Sequence, residues 1–367
     1  MRGRTKEEMR RVQLTTSVAS AVLAVLGGLA GGQAAAQSAS DSTPAFAGGY
    51  GPVWSPDGTQ IAYIGPTRNL NESGDLGLSH VIVVAADGSG SQQVVATAPR
   101  SETLDEVRWA AGGRFVYEDS NYTLWSVDPA RTVVKLGEVG VTGIGEAFAL
   151  SPSRRQVAFT APCGCNVPQG DAVHLVAATG GVVRGVPRPK TALDSDPSFS
   201  PDGKLVAFSR VLVGKGAPKW PQNQSIVVEP VRSGPVRSLG VNGDWPAFSP
   251  NGRWIAFLAR AGLEVAPAAG GKARTLLPFK YVNGTASFSW SPDSTKLVYA
   301  TSTKIGTVDL SGQNTTFAIP GLRPDINTPQ WSPDGSSIAF SAIKKGADLD
   351  LRVYVIGADG SGLRRLA

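Results

Sequence analysis

Short apolar runs recur from about residue 50 to the end of the chain, and turn-forming residues separate them. The clearest runs are 60–64, 205–209, 254–258 and 338–341. None extends into the 3.6-residue period of an amphipathic helix, and each is bounded by Gly, Pro, Asp or Ser. We therefore predict many short strands, several of them covered on both faces of a sheet.

A Ser-Pro-Asp-Gly segment precedes most of these runs. Proline presets the φ angle of the second turn position, aspartate bonds to nearby backbone and glycine accepts a positive φ, so the segment predicts a tight turn. The fourth residues of the repeat are separated by 55, 41, 49, 49, 42 and 41 residues. They are Ser55, Ala110, Ser151, Ser200, Ser249, Ser291 and Ser332. Periods of 40 to 50 residues with several strands each are typical of propeller blades.

Each copy also contains a predicted hairpin, such as 81–85 with 92–95 across Asp87-Gly88. The sequence thus predicts an all-β fold, a β-propeller of about seven four-stranded blades over residues 52–367. One large apolar residue precedes the repeat serine or alanine in every copy, and we expect this set to pack between blades. The set is Trp54, Trp109, Leu150, Phe199, Phe248, Trp290 and Trp331.

The repeated aromatic-Ser-Pro-Asp-Gly segment, followed by a strand of the Ile-Ala-Phe type, resembles the propeller domain of the TolB family and its WD40-like relatives. The resemblance covers nearly all of the chain after residue 51. It implies the propeller fold and a stand-alone binding module. Between the predicted signal segment and Pro52 we expect no room for the α/β domain that precedes the TolB propeller. The sequence contains neither the Gly-x-Ser-x-Gly elbow of the peptidase relatives nor the histidine set of the pectin-fragment lyase relatives.

The N-terminus carries a basic segment, an apolar stretch from Leu14 to Ala30 and small residues up to Ala36. This pattern predicts a signal peptide over 1–36, and hence a secreted or cell-envelope protein, with a linker or closing segment over 37–51. An uncleaved anchor is the alternative, and it would be the only contact with a membrane. Without residues 1–36 the chain keeps 30 basic and 27 acidic groups, a net charge of +3. This modest surplus argues against a nucleic-acid partner.

Catalytic and metal-binding signatures are absent from the sequence, and we predict neither catalytic residues nor metal ligands. His80 and His174 fall at strand starts in non-adjacent blades. Cys163 and Cys165 are expected to form a small structural disulfide, ahead of a redox role and of a metal site with His174.

Binding residues are expected on the face that carries the longer and more varied connections. Four or five residues before the repeat position, where first strands begin beside the central channel, the chain places Asp105, Glu106, Glu146, Asp196, Asp244 and Asn327. These side chains could hold a basic peptide end or a calcium ion, or could simply cap turns. Trp220 and Trp245 are predicted to lie in loops as aromatic anchors or as packing residues.

The sequence thus favours a monomeric, non-catalytic binding or scaffold propeller for a protein, peptide or glycan. It needs no cofactor, apart from calcium if the channel holds one. The alternative is a metal-dependent polysaccharide lyase or hydrolase that uses the central channel.

Overall fold

The computed structural model describes residues 49–66, 79–90, 92–97, 104–139, 148–162, 171–189, 191–213, 224–232, 234–279, 286–325, 329–346 and 351–366. These residues form seven antiparallel sheets, and the strands of each sheet follow one another in the chain. The predicted seven-bladed propeller is confirmed. Beyond its strands, the described chain contains a single 3₁₀ turn, Ala111–Gly113, and no helix long and apolar enough to cross a membrane.

The first three blades are β1 Tyr50–Trp54, β2 Gln60–Pro66, β3 Ser79–Ala85 and β4 Gln93–Thr97; β5 Leu104–Trp109, β6 Phe115–Asp119, β7 Thr123–Val127 and β8 Val133–Glu138; and β9 Phe148–Leu150, β10 Gln156–Pro162, β11 Asp171–Ala177 and β12 Arg184–Gly185. Blades four and five are β13 Ala192–Phe199, β14 Leu205–Leu212, β15 Gln224–Pro230 and β16 Arg237–Ser238; and β17 Asp244–Phe248, β18 Trp254–Ala259, β19 Gly262–Pro267 and β20 Arg274–Pro278. Blades six and seven are β21 Ala286–Trp290, β22 Lys296–Thr301, β23 Ile305–Asp309 and β24 Asn314–Thr316; and β25 Leu322–Pro324, β26 Gln330–Trp331, β27 Ser337–Lys344, β28 Leu351–Gly357 and β29 Arg364–Arg365.

The repeat serine organises the turn between the first and second strands. In blade one, the Ser55 hydroxyl donates to Asp57 Oδ1 over 2.6 Å and accepts the Gln60 N–H over 2.9 Å. Gly58 has a φ of +73°, a conformation that suits glycine. The same pair of serine bonds recurs in blades four, six and seven, and in blade five with Asn251 in place of aspartate.

Replacing Ser55 with alanine is expected to raise the pKa of Asp57. The Ser55 hydroxyl is the main cause that holds this pKa down at about 2, against an ordinary value of 3.8. Titration of the Asp57 carboxyl by NMR would measure the change. Replacing Ser89, whose backbone bonds to Asp87 in the neighbouring hairpin turn, is the control and should leave Asp57 unchanged. A pKa that stays near 2 in the Ser55 variant would contradict this account.

The hydrophobic core consists of seven clusters, and each lies between two neighbouring blades. Every second strand contributes a buried aromatic ring at one equivalent position to such a cluster. The rings are Tyr63, Tyr117, Phe159, Phe208, Phe257, Tyr299 and Phe340. Because each blade buries both faces of its sheet only when a blade stands on either side, the ring is the smallest unit with a complete core.

The tryptophans before the repeat position join neighbouring blades, as predicted. The indole Nε1 of Trp54 donates to the Gln330 carbonyl over 3.2 Å, that of Trp109 to Val53 over 3.1 Å and that of Trp290 to Ala247 over 3.0 Å. In each case the acceptor belongs to the preceding blade around the ring. The indole rings therefore pack between blades, and their hydrogen bonds also fix the position of each blade against the one before it.

The ring closes between blades seven and one. The Gly49 N–H donates to the Leu351 carbonyl over 2.8 Å, and Arg364 Nη2 donates to the carbonyl of Ala86. Among the described residues, no strand is exchanged between these two blades. The first strand begins at Tyr50, within the segment 37–51 that the sequence assigns as a linker or closing segment. The signal peptide over 1–36 lies outside the described residues and stays a prediction.

Candidate functional site

The connections of each blade alternate between two faces of the ring, because its strands are antiparallel. The turns after the first and third strands share one face, here termed the turn face. The connections after the second strand, and those between blades, begin and end at the other face, here termed the loop face. First strands start at the loop face beside the central axis. The described members of the predicted acidic set, Asp105, Glu106, Asp196 and Asp244, therefore lie on strands that line the channel toward this opening.

First strands of blades one, four and five carry a bulge at this mouth. The register with the second strand shifts between Tyr50 and Val53, between Ser195 and Ser198, and between Asp244 and Ala247. A proline lies inside each bulge. Because a bulged residue is not paired with the neighbouring strand, the missing N–H of proline removes no hydrogen bond from the sheet. The residue before that proline has a positive φ: +60° at Gly51, +55° at Asp196 and +54° at Trp245.

Trp245 thus lies in a strand, and its assignment to a loop was wrong. The Asp-Trp-Pro sequence resembles a loop because aspartate and proline interrupt the apolar alternation, whereas a bulged strand accommodates both. A positive φ is uncommon for a bulky side chain and stores strain, of the order of 1 kcal/mol or more. Such strain tends to persist where a side chain must be aimed at a site.

Asp196 and Trp245 line the same cleft of about 80 Å³. Ala149 of blade three and Phe288 of blade six line it as well, and a cleft shared by the first strands of four successive blades lies at the central channel. The residue Asp196 is only 7% exposed, and its Oδ2 accepts the Ser195 hydroxyl over 2.8 Å. An aspartate and an indole ring on one small cleft provide the two contacts that a cationic group favours.

Asp244 occupies the neighbouring position in blade five. Its Oδ1 accepts a hydrogen bond from the side-chain amide of Gln224 in blade four. Burial raises the pKa of Asp244 to about 6, and the Gln224 bond opposes that rise. The pKa of Asp244 is therefore raised, whereas the pKa values of turn aspartates such as Asp57 and Asp334 are lowered.

A second acidic group lies at the mouth where blades seven, one and two meet. Burial raises the pKa of Glu118 well above its ordinary value, and the charges of Glu106 and Asp105 raise it further. Glu106 pairs with Arg108 over 2.7 Å. Burial also raises the pKa of Tyr50, with contributions from Asp105 and from Asp325 of blade seven.

Glu118 and Asp325 were not among the residues predicted from the sequence. At the position of Glu118 the other second strands carry uncharged residues: Ile64, Thr160, Ser209, Leu258, Ala300 and Ser341. The single glutamate at this position could therefore have been recognised from the sequence as a candidate. Asp119 beside it has a structural role. Its Oδ1 accepts the backbone N–H groups of Asn121 and Thr123, and its Oδ2 accepts Trp125 Nε1 over 2.6 Å.

Glu146, Trp220, Asn327, Cys163 and Cys165 lie outside the described residues, so the predictions about them, including the disulfide, are untested. His80 and His174 are on separate blades. Their ring Nδ1 atoms contact Thr97 Oγ1 and the Ala172 carbonyl, each over 3.0 Å, and burial lowers the pKa of His80. Within the described part of the chain, no three His, Cys, Asp or Glu residues cluster closely enough to hold a metal ion.

Solved structures share this fold. A puromycin-hydrolyzing peptidase from Mycobacterium tuberculosis matches with a TM-score of 0.59 at 15% identity, over 87% of this chain and 53% of its own. A streptogramin B lyase matches with a TM-score of 0.55 at 11% identity, over 80% of this chain and 90% of its own. An oligogalacturonate lyase from Vibrio parahaemolyticus matches with a TM-score of 0.53 at 11% identity, over 83% and 84%.

No family model matches the sequence, and neither does any curated protein. At identities this low the structural matches establish the fold alone. The chain belongs to the class of seven-bladed β-propellers, a class that serves both binding proteins and enzymes.

Proposed function

We propose that this chain is an exported, non-catalytic binding propeller of the TolB-like kind, which holds a basic segment of a protein or peptide at the loop-face mouth of its central channel. The observation that carries the proposal is the shared cleft of Asp196 and Trp245. Both residues keep positive φ angles that glycine would adopt without strain, and the Trp245 ring also packs against the core cluster between blades five and six. The apolar stretch at the N-terminus and the TolB-like repeats support export.

The electrostatics of the mouth agree with a cationic ligand. Asp105 and Glu106 of blade two and Asp325 of blade seven lie on one side of the channel opening, where Glu106 is also paired with Arg108, and Asp196 and Asp244 lie on the other. Carboxylates around an opening attract a basic chain and speed its association. An ammonium or guanidinium group in the cleft would bond to the Asp196 carboxylate and contact the face of Trp245.

The experiment is capture of partners from a cell-envelope extract by the immobilised chain from Gln37 onward, beside direct titration with a tri-arginine peptide. Replacing Asp196 with asparagine is expected to weaken peptide binding by roughly tenfold or more, because asparagine keeps an acceptor oxygen but loses the negative charge that strengthens the bond to a cationic group. Replacing Trp245 with phenylalanine keeps a ring in the cleft and should weaken binding less.

Replacement of Asp57 by asparagine is the matched control, since it removes one carboxylate on the opposite face and blade five already uses Asn251 at this position. Equal binding by the Asp196 variant, the control and the unmodified chain would refute the channel site. Stoichiometric transition metal in the purified protein, with cleavage of an acidic polysaccharide, would instead support the lyase alternative.

A further inference from the structure

Charge is distributed unevenly around the turn face. Among the described residues, each blade presents two turns on this face, each made of the linking residues and one strand residue on either side. In blades six, seven and one these turns contain six aspartates: Asp57, Asp87, Asp293, Asp309, Asp334 and Asp359. In blades three, four and five they contain a single acidic residue, Asp202, which pairs with Lys204 over 3.6 Å.

The same turns of blades three to five carry a dense set of basic side chains. Apart from Lys204, six are exposed: Arg155, Arg184, Arg232, Arg253, Lys272 and Arg274. We term these six residues the basic sector. Because the acidic and basic turns lie on opposite sides of the ring, the turn face has a strong lateral dipole that the small net charge conceals.

The basic sector is one continuous surface. Arg184 Nη1 of the hairpin in blade three donates to the Arg232 carbonyl in blade four over 3.2 Å. Arg237 Nη2 of blade four donates to the Ala268 carbonyl in blade five over 2.6 Å. These bonds hold the three hairpin turns side by side, so their charges act together.

Exposed apolar side chains occur on the same turns. Val182 is 91% exposed at the tip of the hairpin between β11 and β12, and Val183 beside it is 41% exposed. Val236, in the hairpin turn of blade four, is 38% exposed, and Val133, at the start of β8 in blade two, is 50% exposed. Single exposed valines are ordinary, but these four lie on three successive blades and border arginines.

We propose that the basic sector and these valines form a docking surface for a lipid bilayer with anionic headgroups. The turns are short and of similar length, so the surface that they present is broad and even, as a bilayer requires. Basic residues are attracted to anionic headgroups, while apolar tips enter the boundary between headgroups and acyl chains. The valines favour a bilayer over a soluble polyanion, since a polyanion offers nothing for them to contact. Docking by this face would leave the loop face and the channel mouth turned away from the membrane.

The test is co-sedimentation of the protein, expressed from its full sequence and purified without detergent, with vesicles of phosphatidylcholine alone or mixed with phosphatidylglycerol. Binding is expected only to the mixed vesicles and should weaken as salt is added. Replacing Arg232 and Lys272 with glutamine should weaken partitioning by roughly fivefold for each residue. Replacing Val182 and Val183 with serine should weaken it several-fold without changing its salt dependence.

The matched control replaces Lys296 and Arg365 with glutamine, because both are exposed and belong to blades six and seven. It removes the same charge and should bind nearly as well as the unmodified protein. Equal losses in the two charge variants would overturn the proposal, and so would equal binding to phosphatidylcholine alone. Binding to heparin in the absence of binding to mixed vesicles would likewise overturn it, in favour of a soluble polyanion. Thermal unfolding of each variant shows whether it is folded, and none of these exposed side chains is needed for the core.

Discussion

Replacing Arg210 with methionine is expected to destabilise the propeller by about 3–5 kcal/mol. Arg210 and Asp194 lie directly opposite each other on β14 and β13, and two bonds of 2.7 Å join the guanidinium to both carboxylate oxygens. The Asp194 side chain is 0% exposed and that of Arg210 is 8% exposed. Burial raises the pKa of Asp194, and the bonds and charge of Arg210 lower it. Methionine keeps the apolar stem against Phe208 but leaves a buried carboxyl without its counter-ion.

Urea denaturation followed by tryptophan fluorescence would measure this loss. A double variant, with Asp194 changed to valine and Arg210 to methionine, should recover most of the stability, because replacing both partners removes the cost of a buried lone charge. A double variant as unstable as the single one would show that packing accounts for the effect.

Replacing Asp244 with asparagine is expected to stabilise the protein by up to about 3 kcal/mol above pH 6. The folded-state pKa of Asp244, about 6, exceeds its ordinary value of 3.8. The protonated carboxyl therefore contributes stability that is fully present below the unfolded pKa and is lost as the pH rises through about 6. Asparagine stays neutral and still offers Oδ1 to the amide of Gln224.

The unfolding midpoints of the two proteins should therefore diverge as the pH rises and converge near pH 4. Thermal unfolding across this range gives the difference directly. The Asp57 to asparagine variant is the control, since the pKa of that exposed carboxyl lies below its ordinary value, and asparagine there should bring no gain in stability as the pH rises. No gain for the Asp244 variant above pH 6 would mean that the carboxyl is better solvated than its burial indicates.

The fold could be predicted from the sequence because each blade carries its own local signal. The Ser-Pro-Asp-Gly turn fixes the start of the second strand, and even the degenerate copy at Ala110 stays in phase although it lacks the serine hydroxyl. Apolar runs recur in all seven copies and the turn chemistry in most of them, and such agreement between local signals is the condition under which a sequence specifies one structure.

The candidate site could be predicted only in part. The position of Asp196 followed from its spacing to Ser200, but the positive φ of Trp245 and its place in a cleft with Asp196 depend on a bulge that propensity does not encode. The group around Glu118 joins residues of three blades that are far apart in the chain. Such proximity arises from ring closure and cannot be read from local spacing.

Net charge was equally uninformative about the turn face. The net charge of +3 after residue 36 is small because the acidic and basic sides of the turn face largely cancel in the sum. Only the angular position of each blade separates Arg232 and Lys272 from Asp334 and Asp359, and that position is a property of the ring.

The seam between blades seven and one differs in kind from the other six. Every other pair of neighbouring blades is also tied by the peptide chain, whereas this pair is held by side-chain packing around Tyr63 and Val353 and by a few hydrogen bonds, such as that from Trp54 to Gln330. Separation of these two blades would turn the closed ring into an open arc without breaking any covalent bond. Such an arc would expose one apolar cluster and keep six, so the molecule has a built-in route for opening in which most of its core survives. Amide protons at this seam should therefore exchange with solvent before those of blades three to five.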